Sequence, residues 1–146
     1  MDDIIKETDD ALRNYFRYVQ ELPGLYEKML TLGVQLNHMG VSSPTIRSKD
    51  EAFYQRGSAD HRTDGTNILD LMEQEERTYI EYKYKSLYCY NIQEIFVELP
   101  EDEMQMIAER YDQCIGIRRM ALARNISKST MSERFGKLLE KIYSKM

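Results

Sequence analysis

Apolar residues return along most of this chain at steps of three and four, the period of one helix face. In residues 4–22 the stripe is Ala11 or Leu12, Tyr15, Phe16, Tyr18 or Val19, and Leu22. Pro23-Gly24 interrupts it, and Leu25, Met29, Leu32, Leu36 and Met39 resume on one face. Proline is accepted in a first helical turn, so the pattern allows two helices or one kinked helix. Gly33 weakens the second stretch by ~1 kcal/mol relative to Ala, and Gly40 is expected to end it. Residues 41–65 lose the period. Ser42-Ser43-Pro44, Arg56-Gly57-Ser58 and Asp64-Gly65 mark a loop, read as a mobile linker. Ser48 and Glu51 fit a capping box, which allows a short helix over 49–55.

Residues 66–98 read as one long helix, with Thr66 as cap and Leu69, Met72, Tyr79, Leu87 and Ile95 near one stripe. Tyr79, Tyr82, Tyr84, Tyr88 and Tyr90 spread around it. A helix with aromatics on more than one face needs more than one neighbour. These tyrosines are expected to pack on the first helices or at a self-association seam. Their alternation could also mark a strand, but the flanking LMEQEE and IQEIF runs are helical in character. Leu99-Pro100 then breaks the chain. Glu101, Asp102 and Glu103 occupy the first turn of the next helix, where carboxylates favour the positive end of the dipole. Met104, Ile107, Ala108 and Tyr111 are expected to face inward.

The last stretch, residues 115–142, predicts two short helices and a tight turn. Met120, Ala121 and Leu122 are expected to face inward on the first. Asn125 tolerates the left-handed turn conformation, Ile126 is an apolar plug, and Ser127 is an N-cap. Met131, Phe135, Leu138 and Ile142 make one face of the second helix. Lys128, Thr130, Arg134, Lys137 and Lys141 are read onto the opposite face. A polar, basic outer face after a capped turn describes a helix-turn-helix, whose second helix can enter a DNA major groove.

Charge sharpens that expectation. The 146 residues carry a formal net charge of −5. Residues 115–146 hold eight basic and two acidic side chains, a net +6, and residues 1–114 hold the remaining −11. A basic end on an acidic body predicts that one end meets a polyanion. Hydrophobic residues at 42%, charged residues at 31% and only 7 Gly and 3 Pro favour long helices over a β-sandwich. No apolar run approaches the ~20 residues of a membrane span. The opening MDDIIKETDD is too acidic for a signal peptide. Cys89 and Cys114 have no metal-ligand spacing, and with His38 and His61 they give no zinc pattern. Both cysteines read as buried small hydrophobes in a reducing cytoplasm. There is no phosphate loop, HExxH or GxSxG, and nothing that predicts an enzyme or a cofactor.

MALARNISKSTMSERFGKLLEKI resembles the last two helices of the sigma-factor region 4 helix-turn-helix, and Leu99-Pro100 with MQMIAERY resembles the helix before them. With its long N-terminal part, the chain resembles the phage-encoded RinA/ArpU family of late-gene transcription regulators. Gly116-Ile117-Arg118-Arg119 departs from the polar, acidic helix start more usual there.

The combined expectation is an all-α protein. A long-helix arm, residues 1–98, carries a three-helix DNA-binding unit, residues 99–146. The resemblance implies activation of late packaging or morphogenesis genes in a bacterial host. Lys128, Ser129, Thr130, Ser132, Glu133, Arg134 and Lys137 would face the groove, with Arg134 or Lys128 on a guanine edge. Arg118, Arg119, Arg124 and Lys141 would meet phosphates. Double-stranded DNA, a second copy of the chain and host RNA polymerase are the expected partners. The alternative is a protein-binding adaptor, associated with RNA polymerase or with packaging. An apolar patch on the outer face of residues 127–141 would favour it.

Overall fold

The computed structural model describes residues 2–40 and 65–146, and every regular element among them is helical. In chain order they are α1 (Asp2–His38), α2 (Gly65–Val97), α3 (Glu101–Ile107), a π-helical turn (Ala108–Asp112), α4 (Ile117–Ala123) and α5 (Lys128–Lys145). The all-α expectation is met: the tyrosine-rich run that could have been a strand lies inside α2. The linker, the capping box at Ser48 and the side chain of the expected cap Thr66 lie outside the described residues. The chain packs as two compact units, one of Met1–Val19 with Leu87–Met146 and one of Gln20–Ser86.

In the first unit, α1 presents Ala11, Leu12 and Tyr15 and α2 presents Cys89, Ile92 and Phe96, all buried. An aromatic series ties the elements together. Tyr15 meets Phe96 edge-on at 5.1 Å. Phe16 stacks on Tyr111 at 6.1 Å, and Tyr111 leans on Phe135 of α5 at 5.9 Å. Offset and edge contacts of this kind add to what area burial alone contributes. Polar groups along the same seam are satisfied. The Tyr88 hydroxyl donates to the Ala11 carbonyl at 3.0 Å, and Gln93 Nε2 donates to the Tyr15 hydroxyl at 3.2 Å. Cys89, free and buried, has its thiol pushed up by burial, as an inert small hydrophobe would. Cys114 departs from that expectation and is exposed, because it lies in the turn that follows Asp112 rather than on a packed helix face.

The second unit takes its order from the stripe Met29, Leu32 and Leu36, all buried. α1 continues through Pro23. Proline there removes the N–H that would bond to the Val19 carbonyl, so the helix needs holding on either side. Glu21 before the proline accepts from Lys85 at 2.6 Å, and Tyr26 after it meets Tyr82 at 5.9 Å. Gly40, at φ 83°, follows the helix end as expected.

The π-turn replaces a plain helix end. Gln113 N–H reaches the Ala108 carbonyl, five residues back, at 2.9 Å. Cys114 then turns into the left-handed region at φ 56°, and Ile115 N–H closes on the Glu109 carbonyl at 2.8 Å. The widened turn lets Tyr111 into the core beside Met106 and Ile107, while Met104 and Ala108 are only half-buried.

Gly136 sits inside α5, and a Cβ there would lie 3.8 Å from Ile5 Cδ1, an ordinary contact. Gly136→Ala should therefore gain the helix propensity that glycine forfeits, about 1 kcal/mol. A urea titration followed by circular dichroism would show it as a raised midpoint. A lowered midpoint would mean that α1 cannot tolerate the methyl group.

Candidate nucleic-acid interface

The turn between α4 and α5 is built by two local devices. Asn125 takes φ 56°. Its N–H bonds to the Leu122 carbonyl at 3.2 Å, and Ile126 N–H bonds to the Ala121 carbonyl at 3.1 Å. That pair of bonds is a Schellman closure with asparagine in glycine's place. Two residues later the Ser127 side chain accepts from Thr130 N–H at 3.1 Å, satisfying one of the free donors at the start of α5. Met120 and Ala121 on α4 and Met131, Phe135, Leu138 and Ile142 on α5 are buried. Leu122 is not: it is 69% exposed. Three consecutive helical residues span about 200° of the helix circumference, so all three cannot face inward, and Leu122 is the one turned out.

The outer surface of α5 exposes Lys128, Ser129, Ser132, Glu133, Arg134, Lys137 and Lys141, with Thr130 half-buried. They do not form one row. At about 100° per residue, Thr130, Glu133, Arg134, Lys137 and Lys141 share an arc of about 100°. Ser129 borders that arc, while Lys128 and Ser132 fall toward the opposite flank. On α4, Arg118 and Arg119 are both exposed. Gly116 precedes α4 as an extended N-cap without a side-chain cap bond.

Three of the basic side chains are held by carboxylates from earlier in the chain. Arg124 Nη2 donates to Glu109 Oε2 at 2.6 Å, with both side chains mostly buried, and Arg124 Nη1 also reaches the Met120 carbonyl. Lys141 donates to both oxygens of Glu103, at 2.6 and 3.2 Å. Lys145 donates to Glu98 at 2.6 Å and holds that carboxyl below its ordinary range. Lys137 stands 3.9 Å from Glu133 on the same helix. Among the described residues no carboxylate holds Arg118, Arg119, Lys128 or Arg134. The charge split of the sequence is thus partly neutralised in space. Glu98, Glu103 and Glu109 are the residues that sequence reading missed, because partners 15 to 47 positions apart leave no spacing signal.

Comparison with known proteins gives no match: no family model, no curated protein and no solved structure matches the chain. Among the described residues no group of His, Cys, Asp and Glu could hold a metal ion. No described helix is long and apolar enough to cross a membrane.

Proposed function

We propose that this protein is a sequence-specific DNA-binding transcriptional regulator, a phage-encoded activator of late packaging or morphogenesis genes of the RinA/ArpU type. In this reading α4 and α5 form a helix-turn-helix of the sigma region 4 kind. Residues 99–146 present it, residues 1–98 act as the arm, and the host cytoplasm is the compartment. The observation that carries the reading is the outer surface of α5. From Ser127 to Lys141 it exposes polar and charged side chains and no large hydrophobic one, directly after a capped turn. Arg134 is the donor available for a guanine edge, since Lys128 lies about 120° away around α5. Arg118 and Arg119 are the best placed for phosphates, whereas Arg124 and Lys141 would first have to leave Glu109 and Glu103. A single such unit makes few base contacts, so two copies are proposed to read half-sites about 10–10.5 base pairs apart or a multiple of that.

The protein-adaptor alternative draws on one observation, the exposed Leu122 of α4. A lone exposed leucine is ordinary on a soluble surface, which leaves DNA the better reading.

The test is a titration of late-promoter DNA against a scrambled control at fixed salt. Arg134→Ala should cost about 1–3 kcal/mol at the true site and relax the preference at one base pair. Arg119→Ala should weaken all sequences about equally. Equal losses of specific and non-specific affinity in both variants would remove α5 as the reading helix. Binding to neither DNA, with capture of RNA polymerase instead, would favour the adaptor.

A further inference from the structure

Within residues 65–86, the outward side of α2 is more apolar than a solvated helix requires. Leu69, Met72, Ile80 and Tyr84 are all exposed. At about 100° per residue they fall within about 60° of the direction of Leu69. Glu75 and Thr78, on other sides of the helix, are buried, so α2 already has one packed face and this is a second. The charged side chains interspersed on it are Glu73, Glu76 and Lys83, all exposed.

We propose that this face is the seam of a homodimer, with α2 of a second copy lying antiparallel across it about a two-fold axis near position 78. The charges choose both the occupant and the direction. A parallel pairing would set Glu73 on Glu73, Glu76 on Glu76 and Lys83 on Lys83, three like-charge contacts. The antiparallel pairing sets Glu73 against Lys83 of the second copy, Met72 against Tyr84, and Ile80 against the aliphatic stem of Glu76. Symmetry makes each of these contacts twice. The groups concerned are accessible for it. Glu73 touches Arg77 only at 3.9 Å, with both side chains well exposed, and the Lys83 ammonium lies 6.0 Å from the Tyr79 ring. Alternating apolar and opposite-charge contacts along one stripe is how paired helices fix their register.

The proposal deepens the dimer part of the reading above and does not rest on DNA, so it is tested on the free protein. Light scattering of the full chain across the micromolar range should give the dimer mass. Lys83→Glu places a carboxylate opposite Glu73 twice per dimer and should raise the dimer Kd about tenfold or more. Glu73→Lys should do the same through Lys83. The double exchange, Glu73→Lys with Lys83→Glu, should restore association. Circular dichroism of each variant checks that helix content is kept. A monomer at every concentration overturns the proposal. So does a dimer indifferent to the single changes, or a double exchange that fails to restore it. An intact dimer that follows this pattern but ignores DNA would support the seam and count against the DNA reading.

Discussion

Phe135→Ala is expected to destabilise the unit of Met1–Val19 and Leu87–Met146 by about 3–5 kcal/mol. The ring is 6% exposed. It lies 5.9 Å from Tyr111, which stacks in turn on Phe16 of α1. Removing it deletes a large apolar surface and leaves a gap that Tyr111 cannot fill without moving its hydroxyl. Small domains are stable by only about 5–15 kcal/mol, so the loss is a large share of the whole. Phe135→Leu keeps much of the volume and should cost less. Urea unfolding monitored by circular dichroism would measure both. If Phe135→Ala cost less than about 1 kcal/mol, α5 would not be anchored through this ring.

The second large effect concerns Asp9 and Tyr111. The Tyr111 hydroxyl donates to Asp9 Oδ1 at 2.6 Å, and Arg13 Nε donates to Asp9 Oδ2 at 2.8 Å. The Arg13 guanidinium also lies over the Tyr111 ring. Burial alone would raise the Asp9 carboxyl, but the bonds from Arg13 and Tyr111 outweigh it and hold Asp9 below 3.8. Burial, then the bond to Asp9, raises the Tyr111 phenol well above 10.0. The two signs fix opposite pH legs. A lowered carboxyl contributes stability that is present above 3.8 and lost as pH falls through the depressed value. A raised phenol contributes stability that is complete below 10.0 and lost as pH rises through the raised value. Asp9→Ala should cost about 1–3 kcal/mol near neutrality, because it leaves the buried hydroxyl without its acceptor. Tyr111→Phe should cost about 1 kcal/mol there and flatten the alkaline leg. Thermal midpoints of the three proteins across both legs would check this. An alkaline leg unchanged in Tyr111→Phe would assign it to other tyrosines.

Local signals in the sequence were read correctly where they act within one turn of helix. Asn125 and Ser127 shape the chain through bonds that span three to five positions, and the stripe Met131, Phe135, Leu138, Ile142 needs only helical spacing. Leu122 is apolar yet faces outward, because apolar character does not fix direction; the Schellman closure sets the end of α4 and leaves that side chain outside. Pro23 leaves two helices or one kinked helix open in the sequence; the chain takes the single helix, held on either side by Glu21–Lys85 and Tyr26–Tyr82. The π-turn has no composition signal, since it is defined by the backbone bonds of Gln113 and Ile115. On the outer surface, which side chains of α5 are exposed was largely legible from period and polarity. Which cations are engaged was not, because Glu98, Glu103 and Glu109 reach them from other elements.

Those three carboxylates also separate two properties that a recognition surface otherwise ties together. Glu103 and Glu109 are mostly buried, and none of the three is among the residues proposed to meet DNA. Losing one of them to a neutral residue releases a cation and raises the charge of that surface by one unit, while every side chain able to distinguish one partner from another stays as it was. Under the proposed function, the grip of the surface and its choice of partner would therefore be written at different positions, and selection could adjust either by a single substitution without disturbing the other.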